Sequence, residues 1–553
     1  MTKQNSEKGG LGTKAVIIII AAVMLSAALV PFTYDMETDD AWSGTLSYSG
    51  TGFGTVGDPY IITTAAQLDE IRDDLGAHYR LGSDIDLDVA PYNAGWTPIG
   101  TSGTPFTGSL DGDGYTIYRL NIPASTSDHR GLFGYVAGGS IIDLVIKESS
   151  ISGRDYVGGI VGYITGGSIT DSGIEESSVS GRNYVGGIAG YMRSSEISYS
   201  YNAATVYGSG FRIGGIAGQV YDQSVVSFCY NIGAVSGDTV STGSNSIGGI
   251  AGIVNGITVS SRSVVVNCYN LGHVTGTRVG GVVGQLNFAV LANCYNAGTV
   301  NGSNVGGVVG YMITSNIYNV YNTGDVSTDS TGGFIVGSFS GVDFTKPENA
   351  NLFYLEDEDS IAMPNYAIGS ATAFGLSFDG TGELATTDKL LDAMNTGASS
   401  APAALGVTCG VWIESNYPIL QELSVKVSLI HSDNGTASIS PAEEHLAKGT
   451  AFTVTVAPGT DCIEWTVKDN GVSVLDDTDA TFTYEFVAHK GHLIDVSFKV
   501  EETGPVIGPI PDPDVKGGNV SATFLVILAA LIIFGVLFIG WLYKRRKDEE
   551  DPK

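Results

Sequence analysis

Between residues 130 and 340 the apolar residues fall in short alternating runs broken by glycine, and no stretch sustains helical spacing. In "SEISYSYNAATVYGS" (195–209) β-branched and aromatic residues alternate with polar ones, the period-2 signature of half-buried strands. The runs are themselves periodic. "VGGIVGY" at 157 recurs as "VGGIAGY" at 185, "IGGIAGQ" at 213, "IGGIAGI" at 247, "VGGVVGQ" at 279 and "VGGVVGY" at 305, with a worn copy "TGGFIVG" at 331. Successive starts lie 28, 28, 34, 32, 26 and 26 residues apart, and "GLFGY" at 131 is a diverged first copy whose Gly134 precedes Gly162 by 28. A second phrase follows in step: "SYN" at 200, "CYN" at 229, 268 and 294, and "VYN" at 320.

A period of this length signals a solenoid. Each unit offers two or three short strands, too few to bury a face alone, whereas stacked coils let each strand pair in parallel with its neighbour at about 4.8 Å. The expected fold is mainly β, a parallel β-helix of seven or eight coils with a rod core of roughly 35 to 40 Å. Its glycines are expected where the backbone takes positive φ or where coils crowd together, with Val, Ile and Ala filling the interior. A dinucleotide fingerprint would need one glycine-rich turn opening a long helix. A membrane packing motif at Gly158 and Gly162 would need an apolar 20-mer around it, and a flexible linker would lack the regular Ile, Val and Tyr.

The flanks read as caps. "TTAAQLDEIRDDLG" (63–76) has Thr64 and Gln67 at capping-box spacing, Leu68, Ile71 and Leu75 on one face, and Gly76 at the stop. Such a helix would plug the open first coil, whose edge would otherwise recruit other chains. A smaller helix over 387–397 would close the far end. Residues 424–500 alternate cleanly as a small β-sandwich-like spacer. The boundaries expected are a signal peptide or signal anchor at 1–30, an N-terminal cap and first coils at 41–130, repeats at 131–345, a C-terminal cap at 346–423, the spacer at 424–500, a Pro/Gly-rich stalk at 501–519, a transmembrane helix at 520–543 and a tail at 544–553.

Both ends point to a membrane. Lys3, Lys8 and Lys14 precede the apolar run at 15–30, a secretory signal if cut after small residues such as Ser26 and Ala28, a short anchor if not. Residues 520–543 carry no charge over a length sufficient to span a bilayer, and Lys544, Arg545, Arg546 and Lys547 follow. By the positive-inside rule that cluster is cytoplasmic and residues from about 40 to 518 are extracellular. The chain then crosses once, or twice if the leader stays.

Charge and chemistry narrow the function. The 553 residues hold 27 basic and 58 acidic side chains, a net charge of 27 − 58 = −31. That excludes nucleic acid as a partner, because phosphates need Lys and Arg, and it fits a solvated surface. Cys229, Cys268 and Cys294 share one place in the repeat. Stacked in register, Cys268 and Cys294 would have Cα atoms about 5 Å apart, within reach of a disulfide, while a buried thiol serving as a small apolar filler is the competing reading. No HExxH occurs, "EEHLA" (443–447) has the wrong order, and the seven histidines are scattered. Asp84, Asp86 and Asp88 suggest calcium only weakly, because Ile85, Leu87 and Val89 alternate with them as in a strand with one wet face. "LDGDGY" (110–115) reads as an Asp-Gly turn. Asp143, Glu148, Asp155, Asp171, Glu175, Glu176 and Glu196 crowd the first coils without a recurrent column. Asn301, Asn434 and Asn519 each begin an N-x-S/T triplet, so they are candidate glycosylation acceptors.

"GLFGY" followed by the "VGGIVGY" series resembles the GLUG motif, found in surface proteins and named from the IgA-peptidase family. "GDPYIITTAAQLDEI" (57–71), "YRLGSDIDLD" (79–88), "WTPIG" (96–100) and "PFTGSLDGDGYTIYRLNI" (105–122) resemble the block that precedes such repeats. "LLDAMNTG" (390–397) and "WIESNYPIL" (412–420) resemble its closing segment, so the resemblance covers about residues 53–423. Residues 424–500 resemble, more loosely, the internalin B-type and related bacterial surface repeats.

The likeness concerns the repeat region and implies no zinc ligands, catalytic residues or cofactor. The order of signal, capped solenoid, small β spacer, stalk and membrane anchor points to a membrane-tethered, adhesin-like protein, not an enzyme, presenting a rod to extracellular glycans or surface proteins. A membrane helix in place of a sortase-type motif suits an organism with an exposed membrane or thin protein coat, such as an archaeon. The rivals are a surface carbohydrate-active enzyme, for which β-helices are common hosts, and a ligand-free envelope spacer.

Overall fold

The computed structural model describes residues 48–238, 245–354 and, in pieces, 394–500. Residues 60–238 and 245–354 wind as a stack of parallel strands, each coil contributing to three sheets. In the coil starting at Val161, strands Val161–Thr165, Ser168–Thr170, Gly173–Glu175, Ser178–Gly181 and Asn183–Gly186 follow one another. The first strand of each coil joins an eight-stranded sheet, the next two an 18-stranded sheet, and the last two a 12-stranded sheet.

The expected register holds through most of the stack. Gly158, Gly186, Gly214, Gly248, Gly280 and Gly306 are partners in succession, and Tyr201, Tyr230, Tyr269, Tyr295 and Tyr321 are too. Phe133 lies opposite Val161 and Tyr135 opposite Tyr163, so "GLFGY" is a true first copy. At the worn copy the sequence alignment is off by one. Gly306 pairs with Gly333, not Gly332, because the register shifts after Gly302 and one extra residue is taken up there. In the 32-residue unit the extra length emerges as a loop between strands Ala251–Asn255 and Val264–Val266.

Inside, Ile, Val, Leu and Ala from every coil form one continuous buried cluster. Two polar columns run with it. Asn202, Asn231, Asn270, Asn296 and Asn322 are buried, and each of the first four donates from Nδ2 to the next Oδ1 at 2.6 to 2.8 Å. The same Nδ2 groups also donate to a carbonyl two residues on, so no amide is left wanting a partner and the burial is tolerated. Cys229, Cys268 and Cys294 stack as free thiols, with backbone N–H groups of Cys229 and Cys268 donating to the next sulfur at 3.4 Å. They are fillers, and burial pushes the Cys229 and Cys268 thiols well above their ordinary range.

The expected N-terminal helix forms but is short, Ala65–Asp69 continued by a 3-10 turn at Glu70–Arg72. Thr64 Oγ1 accepts from Gln67 N, while Gln67 Oε1 accepts from Thr63 N, one residue earlier than a capping box requires. Leu68 and Ile71 are fully buried in the solenoid cluster. At the other end an end plug was expected over 387–397. Of these, 394–396 are described, and they lie on the flank: Met394 O accepts from Asn319, Thr408 O from Asn267 and Gly410 O from Asn293. Residues 424–500 supply strands to a five-stranded and a three-stranded sheet, with Phe452, Val454 and Val456 buried in alternation. Among the described residues no helix is long and apolar enough to cross a membrane. The runs at 15–30 and 520–543 lie outside the described residues.

Candidate functional site: an aromatic and arginine-lined face

The corners of the coil set this face. At the turn before each glycine pair the chain must take left-handed φ, and His129, Tyr156, Tyr184 and Arg212 occupy that corner in successive coils, at φ of 56°, 59°, 56° and 69°. Their side chains therefore leave the rod at one place, one coil rise apart. His129 stacks on Tyr156 at 4.9 Å between ring centroids, Tyr156 on Tyr184 at 4.6 Å, and the Arg212 guanidinium lies 4.7 Å from the Tyr184 ring centroid. Beside this column the tyrosine of each "VGGxxGY" phrase forms a second. Tyr135, Tyr163 and Tyr191 stack at 4.6 Å with planes 8° and 15° apart.

The columns interlock edge to face, Tyr156 with Tyr163 at 5.8 Å and Tyr184 with Tyr191 at 5.7 Å. Each such pair adds about 0.5 to 1.5 kcal/mol beyond area burial. Because the faces are spent on stacking, what each half-buried ring can offer solvent is its edge and hydroxyl. Burial pushes the Tyr163 phenol up to about 12 and raises Tyr156 and Tyr191 as well, so these stay protonated donors at neutral pH. Burial lowers His129, outweighing the opposing charge of Asp128, which keeps the imidazole neutral.

Two residues before Tyr156 and Tyr184 stand Arg154 and Arg182. Arg154 forks onto Asp128 with Nε and Nη2 at 2.7 and 2.6 Å, and Arg182 onto Asp155 at 3.0 and 2.6 Å, each reaching one coil back. Asn183 Nδ2 also donates to Asp155 at 2.9 Å. Next to these forks runs an open groove of about 330 Å³, whose wall includes Ser125, Ser152, Ser180, Arg154, Arg182 and Tyr207. Ser152 and Ser180 hydroxyls meet at 2.6 Å, and Tyr207 is exposed with its hydroxyl on Asp238 at 2.7 Å. Under the groove passes Arg130. Its stem lies where a Gly153 side chain would be, and its buried Nε has no partner.

The sequence reading singled out none of the tyrosines or arginines of this site. Its signal was present, as "GRDYVGG" at 153 and "GRNYVGG" at 181. It also found no recurrent acid column, and here the structure corrects it. Asp113, Asp143 and Asp171 share one left-handed corner, which the short Asp side chain tolerates, and Glu148 and Glu176 share another. Asp143 is raised by burial first and by Asp111 and Asp171 next, but this corner belongs to the 18-stranded face, away from the groove.

The wet-faced strand expected through Asp84, Asp86 and Asp88 shrinks to Ile85–Asp86, with Asp84 and Asp88 flanking it. Asp86 and Asp88 pair with Arg119, and Asp84 accepts from Thr116 N at 2.9 Å; Val89, expected inside, is exposed beyond the strand end. Among the described residues no group of three or more His, Cys, Asp or Glu is placed to hold a metal. Asn301 is exposed in strand Val300–Gly306, whereas Asn434 and Asn519 lie outside the described residues.

The GLUG motif matches residues 301–327. The remaining copies share its register in the stack. A Gly-rich membrane protein, provisionally so named, from Evansella cellulosilytica is 37% identical over 110 residues, 19% of this chain and 12% of that protein. Halomucin from Haloquadratum walsbyi is 39% identical over 129 residues, 22% of this chain and 1% of its own. The chain thus spans a small part of both relatives. Among solved structures, a Bacteroides ovatus protein provisionally named an immunoglobulin A1 protease matches 67% of this chain and 95% of its own at 21% identity and a TM-score of 0.39. An IgA1 protease matches 53% of this chain and 21% of its own at 17% identity and a TM-score of 0.35.

Proposed function

We propose that the chain is an adhesin-like surface protein whose solenoid binds glycans along the tyrosine-lined face. The observation that carries this reading is the repetition: Tyr135, Tyr163 and Tyr191 recur once per coil on the eight-stranded sheet, and Ser152 and Ser180 recur once per coil in the wall of an open groove on the 12-stranded sheet. A polymer of sugar units is a ligand whose own repeat can meet such a ladder, and rigid tyrosines lose little entropy on binding. The names of the two relatives, a membrane protein and a halomucin, fit display at a surface. The leader at 1–30, the tether at 520–543, an extracellular ectodomain and glycosylation at Asn301, Asn434 and Asn519 belong to the same proposal.

The test is a glycan array probed with the full-length chain in non-ionic detergent. Binding is expected, and the triple variant Y135F/Y163F/Y191F, which keeps the stacks and loses the hydroxyls, should bind at least several-fold more weakly with an unchanged melting temperature. Absence of binding to any glycan would remove the proposal. Release of reducing ends or unsaturated products from a bound polysaccharide would replace it with the enzymatic reading.

A further inference from the structure

Resting on that glycan-binding reading, a further step concerns the ligand's charge. The chain carries an excess of 31 negative charges, yet the ridge formed by residues 128–130, 154–156, 182–184 and 210–212 holds Arg130, Arg154, Arg182 and Arg212 against only Asp128 and Asp155. It is a local cationic strip on an acidic molecule. Each aspartate grips one edge of a guanidinium, Nε with Nη2, and so fixes the plane of the fork without using its Nη1. Arg154 and Arg182 are about half exposed at the groove and one coil apart, which spaces their outward N–H groups by about 4.8 Å. Arg130 adds a cation with no carboxylate beside it and an unmet Nε, and Arg212 rests on the rings of Tyr184 and Phe211 without an acid.

We propose that this ridge binds an anionic polysaccharide, a chain of sugars bearing carboxylate or sulfate groups, lying along the rod with successive anions on Arg154 and Arg182 and neutral hydroxyls on Ser152 and Ser180. A planar fork suits either oxyanion, since guanidinium meets both by paired hydrogen bonds. The pinned geometry matters as much as the charge: a guanidinium already held in place loses little freedom when the ligand arrives. The surrounding acidity gives selectivity, because an anionic chain that slides off the strip meets repulsion.

The full-length chain in non-ionic detergent should be titrated with polygalacturonate, a heavily sulfated dextran and neutral dextran, at low salt and again at about 0.5 M salt, where surface charge is screened. Binding to at least one of the two anionic polymers, at least tenfold tighter than to neutral dextran and weakened by salt, is expected; which one binds names the oxyanion. R154Q/R182Q should lose that binding by at least tenfold, and R154K/R182K, which keeps the charge but loses the fork, should fall between. Circular dichroism and melting keep a folding defect separate. Equal binding to neutral dextran overturns the charge inference and leaves glycan recognition standing. Anionic binding that survives in a folded R154Q/R182Q overturns the location. Array binding confined to neutral glycans also overturns the inference, whereas silence on every glycan removes the underlying reading itself.

Discussion

A single hydrogen atom decides whether one coil can sit on the next at Gly187. A Cβ there would press on the carbonyl of Gly215 and the side-chain amide of Asn202, and at Gly158 it would come within 2.7 Å of Ile188 O. Neither glycine has positive φ, so of the two reasons expected for the repeated pair, close approach is the one at work. Gly138 is the opposite case, with φ of 73° and open space around it. Gly187→Ala should therefore destabilise by about 3 kcal/mol or more through overpacking against backbone, and Gly138→Ala by about 1 kcal/mol through conformation alone. Thermal melts of the two variants check the order, and a larger loss at Gly138 would contradict it. His129 supplies a pH dependence. Burial holds its folded pKa below the ordinary 6.5, so the unfolded chain takes up the proton first. Stability should fall as pH drops through about 6.5 and level off below the folded pKa, and His129→Gln should flatten that slope in melting curves taken between about pH 7.5 and 4.5.

At the scale of elements, three ladders divide the labour. The asparagine column inside fixes register, since a coil shifted by one residue would turn its asparagine out of the ladder and deprive the buried amides on either side of that partner. The tyrosine column Tyr201 to Tyr321 stacks at 4.8 to 5.3 Å on the outside and is covered in its later members by Met394, Leu420 and Ala447. A second asparagine column, Asn267, Asn293 and Asn319, is held at left-handed corners and donates to the carbonyls of Thr408, Gly410 and Met394, which belong to a strap of chain lying over it. Asn293 is the central member, donating to Asn267 Oδ1 at 2.8 Å and to Gly410 O at 3.1 Å, and accepting from Asn319 at 2.6 Å. Asn293→Ala should leave those buried partners unmet at a loss of about 1 to 3 kcal/mol. Limited proteolysis should then cut within 398–410 faster than in the parent chain; an unchanged rate would mean that the apolar contacts alone hold the strap.

At the scale of the molecule, stability is close to one-dimensional: each coil contacts its neighbours, and the ends need special treatment. The helix carrying Leu68 and Ile71 meets that need at the start, as its apolar spacing indicated. The strap on the flank had no such signal. Its bonds to the asparagine column run through backbone groups, the carbonyls of Met394, Thr408 and Gly410 and the Gly410 N–H, and backbone groups leave no mark in a sequence. The face of stacked tyrosines and pinned arginines was half legible for a related reason. Tyr163 and Tyr191 sit at the same place in the repeated phrase, whereas Arg154 and Tyr156 lie just outside it, where the corner geometry is a property of the folded coil.

The sequence by itself determined the solenoid, because a 26- to 28-residue period of alternating apolar residues has no way to bury its faces except by stacking, and it determined the register wherever the period was kept. It settled the net charge of −31. Tertiary structure alone decided which side chains share a column, which rings spend their faces on one another, that the thiols fill space, and that four arginines of an acidic chain gather on one ridge. Those outcomes depend on distances between residues a whole coil apart, and such distances exist only once the coils have closed.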